Sequence, residues 1–221
     1  MLDKATQYFE KFKKKIIEIY EKTLHSFITT LFNSQVSILF LGIDNAGKTT
    51  LLNLLKNESA TATMPTSHPT NTDIEIGNMN ANIYDLGGHG PARIAWKDYF
   101  HQCDGCVFIF DAEDSLRFSE VREAYKLVRD LLNEKSSVIP VCVLVNKMDK
   151  VYRMFGGDEN SVDEYIRECL EKCGIEENVN LKISRVSMIK DDNKKHDKGI
   201  YNSFIWLDKA IKERKSNRNS L

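Results

Sequence analysis

A glycine-rich stretch carrying one lysine and two threonines holds the plainest chemistry in this chain. Gly42-Ile43-Asp44-Asn45-Ala46-Gly47-Lys48-Thr49 has the spacing GxxxxGK[ST] and lies between an apolar run and a helical pattern, the setting that motif requires. Its glycines permit a tight curl in which the backbone N–H groups of Asp44, Asn45, Ala46, Gly47, Lys48, Thr49 and Thr50 point inward at phosphate oxygens. A helix opening near Gly47 adds the positive end of its dipole. Lys48 brings a mobile cation to the outer phosphates, a catalytic as well as a binding part, and the Thr49 hydroxyl suits Mg²⁺. A glycine-rich turn arising by chance has no reason to sit between a strand and a helix.

Asn146-Lys147-Met148-Asp149 reads as NKxD at the end of another apolar run. The Asp149 carboxylate can accept from N1–H and from the 2-amino group of guanine. Adenine lacks that donor pair and would leave the acceptor unpaired. Lys147 can lay its stem along the base plane. Asn146 completes the guanine-reading set, and Ser187-Met188 are the expected backbone contact to the guanine oxygen. Asp85-Leu86-Gly87-Gly88 closes a third run, where Asp85 would hold Mg²⁺ through water and the Gly88 N–H would sense a γ-phosphate. Thr66, in a polar stretch upstream, could complete the Mg²⁺ shell only with GTP present. Two loops tethered to one phosphate and released on its loss make a switch between GTP and GDP forms.

These motifs need a frame that presents them together. The pattern predicts a strand over 36–42, a helix over 49–57 and a loop over 58–72. A hairpin follows, with strands 73–76 and 80–84 around Gly77-Asn78. Further strands are expected over 105–111, 138–146 and 181–186, and helices near 115–133, 160–173 and 200–214, with a frayed polar tail from Lys212. The order predicts an α/β fold: a doubly wound, mostly parallel six-stranded sheet with helices on both faces, binding ligands at the carboxyl ends of its strands. The expected division is an N-terminal helix over 1–34, a nucleotide domain over 35–214 and a tail over 215–221.

At 221 residues and a formal net charge of −1 the chain suits one buried domain, with no bulk positive charge to draw nucleic acid. The five cysteines, Cys103, Cys106, Cys142, Cys169 and Cys173, fall inside predicted elements and read as reduced. Cys103 and Cys106 have CxxC spacing, yet there is no second such pair to complete a zinc site. No run reaches the about 18 apolar residues of a membrane span. Neither a secretory signal, a myristoylation glycine nor a prenylation cysteine is expected.

The motifs resemble the Arf/Sar branch of the Ras-like small GTPases, and within it the Sar type, which starts COPII coat assembly on the endoplasmic reticulum. The likeness runs from about Val36 to Trp206. It rests on the P-loop 42–50, on Pro65-Thr66-Ser67-His68-Pro69-Thr70, and on Asp85 to His89 followed by Ala92-Arg93 and Trp96-Lys97-Asp98-Tyr99. His89 stands where Arf and Ras proteins place glutamine, and a neutral imidazole there can accept from the attacking water. The resemblance implies slow intrinsic GTP hydrolysis with Mg²⁺ and an arginine supplied by a GTPase-activating coat subunit. It also implies a membrane-bound exchange factor, and a protein moving from cytosol to the endoplasmic reticulum membrane and reaching, at most, the Golgi. A longer N-terminus and the divergent stretches 151–180 and 190–198 depart from the pattern.

In the first 34 residues Phe9, Phe12, Ile16, Leu24 and Leu31 recur at helical spacing opposite a lysine-rich face. Such a helix can lie in a lipid interface. It can equally pack on its own domain or form a coiled-coil arm. The Sar resemblance implies membrane insertion with GTP; with GDP the helix is expected to dock on the hairpin 73–84. Two rival functions remain: an Arf-like switch for another adaptor, and a nucleotide-stabilised scaffold with negligible hydrolysis.

Overall fold

Three strands of the chain are mostly apolar and buried on both faces because both sides of the sheet are covered. The computed structural model describes residues 36–56, 70–76, 79–134, 139–178, 180–188 and 197–218. The expected helix over 1–34, Thr66, the Gly77-Asn78 turn and most of 190–198 lie outside the described residues.

The strands are β1 (Val36–Leu41), β2 (Thr70–Ile76), β3 (Met79–Asp85), β4 (Gly105–Asp111), β5 (Val141–Asn146) and β6 (Leu181–Arg185), in the spatial order β2-β3-β1-β4-β5-β6. Among the described residues only β2 and β3 pair antiparallel, with Thr70 opposite Asp85 and Ile76 opposite Met79, so the two expected hairpin strands pair and β2 starts three residues early. Elsewhere the pairing is parallel, and its register lines up the carboxyl ends: Asp85 beside Phe40, and Asp111 beside Asn146. The order steps outward in both directions from β1. The motif-bearing ends therefore gather along one edge of the sheet, as such folds require.

The helices are α1 (Lys48–Leu55), α2 (Trp96–Phe100), α3 (Phe118–Glu134), α4 (Met148–Met154), α5 (Glu159–Cys173) and α6 (Asp197–Arg218), with short 3₁₀ turns at Gly90–Ala95 and Ser115–Arg117. Along α6, Ile200, Phe204, Leu207 and Ile211 fall at steps of three or four and are buried, which makes the stripe that seats the helix on the sheet. The tail expected to fray is helical as far as Arg218. Lys215 pairs with Asp104 at 3.1 Å, and Arg214 donates to the Asp104 carbonyl at 3.2 Å. Neither tie has a local sequence signal. The sequence pattern does not predict α2 and α4, since each is too short to show two turns of apolar periodicity.

All five cysteines are free and buried, and burial pushes the Cys142 thiol up to about 12 and Cys106 well above its ordinary value. These thiols are inert core side chains. Among the described residues no helix is long and apolar enough to cross a membrane.

Candidate functional site

The loop between β1 and α1 is held by close backbone approaches. Gly47 has φ +106°, and a β-carbon there would stand 2.3 Å from Asn146 Nδ2 and 3.2 Å from Met188 Sδ. Only glycine fits. A β-carbon at Gly88 would lie 2.2 Å from the Asp44 nitrogen, so the loop after β3 rests directly on the loop after β1. Asn45 takes a left-handed φ of 60° and is exposed on the rim. Asp44, Ala46 and Thr50 occupy the same curl and the first turn of α1.

Lys48 is buried and folds back over this loop, donating to the Gly42 carbonyl at 3.0 Å and the Ile43 carbonyl at 2.8 Å. Burial pulls its pKa down to about 8, against the opposing pull of Asp85 and Asp44. Such an ammonium is short of negative charge and suited to phosphate oxygens. Thr49 Oγ1 donates to Asp85 Oδ2 at 2.7 Å, which sets two oxygen donors side by side next to the lysine. A hydroxyl and a carboxylate are the ligands that Mg²⁺ takes alongside substrate phosphates. Among the described residues no group of three His, Cys, Asp or Glu could cage a metal alone, so phosphate and water would supply the rest of the shell.

The other end of the site is a buried hydrogen-bonded cluster. Asn146 Nδ2 donates to the Ala46 carbonyl at 2.8 Å and fastens NKxD to the glycine loop. Its Oδ1 is buried without a partner among the described residues. Ser187 Oγ donates to Asp149 Oδ1 at 2.6 Å, and both side chains are buried. Lys147 has φ 62° and pairs with Asp111 at 2.6 Å. The structure thus brings Lys48, Thr49, Asp85 and Gly88 into one group, and Asn146, Lys147, Asp149, Ser187 and Met188 into another that meets it at Gly47. His89 is exposed at the start of the 3₁₀ turn, its carbonyl accepting from Ala92 N–H at 2.9 Å.

Several residues escaped sequence reasoning. Asp111 closes its strand as Asp85 closes another, and that was its available signal. Trp96 and Arg93, named above only for the family resemblance and given no role, hydrogen-bond the Gly87 and Gly88 carbonyls. Arg117 grips Asp44 through both side-chain oxygens, at 2.6 and 3.2 Å, and holds the Asp44 carboxyl below its ordinary value. Glu120 joins Arg117 to Arg93. Nothing local distinguishes Arg117 or Glu120 from surface charges on a helix.

The model of the ADP-ribosylation factor family matches residues 22–211. Among curated relatives, the small COPII coat GTPase SAR1 of Encephalitozoon cuniculi is 54% identical over 149 residues, covering 67% of this chain and 66% of that protein. The small COPII coat GTPase SAR1 of Giardia intestinalis is 40% identical over 119 residues, covering 54% of this chain and 61% of that one. These alignments span just under two thirds of each relative. The crystal structure of the Encephalitozoon cuniculi protein in complex with GDP aligns over 100% of this chain and 99% of its own, with 40% identity and a TM-score of 0.74. The Arl6 BBS3 GTPase of Trypanosoma brucei, 21% identical with a TM-score of 0.62, shares the fold.

Proposed function

The chain belongs to the ADP-ribosylation factor family of small GTPases, with its Ras-like α/β fold, and from that premise we propose that it is a Sar-type switch. It binds GDP or GTP with Mg²⁺, hydrolyses GTP slowly alone, and when GTP-bound settles on the endoplasmic reticulum membrane to start COPII coat assembly. The observation that carries the nucleotide part is the bond from Asn146 to the Ala46 carbonyl, 2.8 Å long. It makes a base reader and a phosphate loop into one continuous site. The coat part leans on the likeness to the SAR1 proteins and on His89 in the place of glutamine.

In this reading Asp149 accepts from the guanine edge while Ser187 orients it, and Lys147 covers the base. The amides of 44–50 and Lys48 hold the phosphates. Thr49, Asp85 and, with GTP, Thr66 would hold Mg²⁺, which would supply positive charge to the phosphates. The Gly88 N–H meets the γ-phosphate and His89 orients water. An arginine from a GTPase-activating coat subunit completes the charge balance, and a membrane-bound exchange factor reloads the site. Residues 1–34 bring the GTP form to lipid.

Calorimetric titration of the full chain with GDP, a non-hydrolysable GTP analogue and ADP tests the site: both guanine nucleotides bind and ADP does not. Comparable ADP binding would remove the base reading. Liposome flotation of full-length and 35–221 protein then tests the membrane part. Only the full-length, GTP-loaded form should float, and flotation in neither state would leave a soluble adaptor switch.

A further inference from the structure

The Gly87-Gly88 pair has little restraint of its own, since glycine has the most conformations to lose. Both of its carbonyls are held by side chains from the segment that follows. Trp96 Nε1 donates to the Gly87 carbonyl at 3.2 Å, and Arg93 Nε donates to the Gly88 carbonyl at 2.7 Å. A peptide unit is planar. Fixing the Gly87 carbonyl therefore fixes the Gly88 N–H, and fixing the Gly88 carbonyl fixes the amide that carries His89.

Arg93 is itself gripped from the far side. Its side chain is 8% exposed and its guanidinium pairs with Glu120 of α3. The other Glu120 oxygen takes Arg117 Nε at 2.8 Å and Nη2 at 2.6 Å. Arg117 then reaches Asp44, at 2.6 Å to Oδ1 and 3.3 Å to the carbonyl. A continuous chain thus runs Gly88–Arg93–Glu120–Arg117–Asp44. Both of its ends lie in loops expected to touch phosphate, and its middle is anchored on a rigid helix. Each arginine uses its planar fork on two partners at once, which a lysine cannot reproduce.

We propose that Arg93 is a positioning residue for the γ-phosphate-reading loop, acting on the peptide unit that joins Gly88 to His89 and aligned by Glu120 and Arg117 against the P-loop residue Asp44. This rests on the GTPase reading above. Arg93 touches no phosphate in this role. It favours the triphosphate by holding the peptide between Gly88, whose N–H meets the γ-phosphate and whose own peptide unit Trp96 holds, and the water-orienting His89, and GDP, with no γ-phosphate, is indifferent to it.

The test is the ratio of affinities for a non-hydrolysable GTP analogue and for GDP, with single-turnover GTP hydrolysis, in the full-length chain. Arg93→Gln should lower analogue affinity and hydrolysis each by about tenfold, the order of one charge-assisted hydrogen bond, with GDP affinity within about twofold of wild type. Glu120→Gln should move the ratio the same way by less, and the double variant should be no worse than Arg93→Gln. Equal weakening of both nucleotides, or an unchanged ratio, overturns the proposal, because a merely structural role moves both together. Should Arg93→Gln fail to fold, Glu120→Gln and Arg93→Lys decide by the same ratio. A wild-type chain that binds neither nucleotide overturns the GTPase reading itself, and the inference with it.

Discussion

The two ends of the nucleotide site are fastened by different means. At the base end Asn146 closes β5 and Ser187 follows β6, two paired strands of the sheet, and the side chains bond one another directly: Ser187 to Asp149, Lys147 to Asp111. At the phosphate end the Lys48 ammonium and the Thr49–Asp85 pair work beside backbone atoms of two glycine-bearing loops. Their restraint comes from Arg93, Arg117 and Glu120, charged side chains 8%, 27% and 33% exposed. A site that must recognise one base in every state can be rigid. One that must respond to the γ-phosphate needs restraints that can be exchanged, and partly solvated ion pairs such as Arg117–Asp44 are of that kind. The base end should therefore respond to mutation through identity of the ligand, and the phosphate end through its charge.

The sharpest break is expected at the base end. In Asp149→Asn the acceptor that pairs with the guanine 2-amino group becomes an amide able to donate, so the chain should turn from guanine toward a base with a carbonyl at that place. A loss of GTP affinity of about three orders of magnitude is expected, with xanthosine triphosphate gaining. Competition between the two nucleotides measures it. A loss of both in equal measure would make Asp149 a structural carboxylate and dissolve the contrast between the ends.

Lys48→Met sharpens the contrast from the other side. It removes a cation from the phosphates and should weaken GTP by about a hundredfold, leaving preference for guanine over adenine intact. It should also stabilise the free protein. The folded pKa of Lys48, about 8, lies below the ordinary 10.5, so between those values the unfolded chain binds the extra proton. Stability from this group therefore rises as pH climbs from about 8 to 10.5, and its cost is fully present below 8. The difference in thermal unfolding between wild type and Lys48→Met, followed from pH 7 to 10, should narrow as pH rises. A constant difference would deny the buried charge.

What the sequence disclosed follows the same divide. NKxD and GxxxxGK[ST] are contiguous, so their residues could be named before any fold was known, and the apolar runs of β1, β4 and β5 dictated a sheet covered on both faces. Arg117 and Asp44 lie 73 positions apart, and on α3 nothing sets Glu120 apart from Glu123 or Asp130. Their meaning comes from the crossover that lays α3 beside the loop. Helix α4 was missed because seven residues cannot display two turns of periodicity, and because Lys147 starts it from a left-handed φ that a non-glycine residue seldom adopts. The close packing of Gly88 on Asp44 was equally invisible, since a pair of glycines says only that the backbone is free.

The smallest effect is expected at the outer link of the ion chain, and it is the most telling about how the phosphate end is held. Arg117→Lys keeps the charge and loses the fork that grips Asp44 and Glu120 together. Arg117 and Asp44 are 27% and 32% exposed, so solvent screening limits the stability cost to about 0.5 kcal/mol, a shift readable by urea titration. Because Arg117 is what lowers the Asp44 carboxyl, that increment is present above the ordinary carboxylate value of 3.8 and disappears as pH falls through the folded value. Affinity for the GTP analogue should drop by about two- to threefold, with the guanine-to-adenine ratio unmoved. A change in base preference of similar size would mean that the two ends are coupled through the loop that Asp44 and Ala46 share, and that the base end is not the rigid partner its bonding describes.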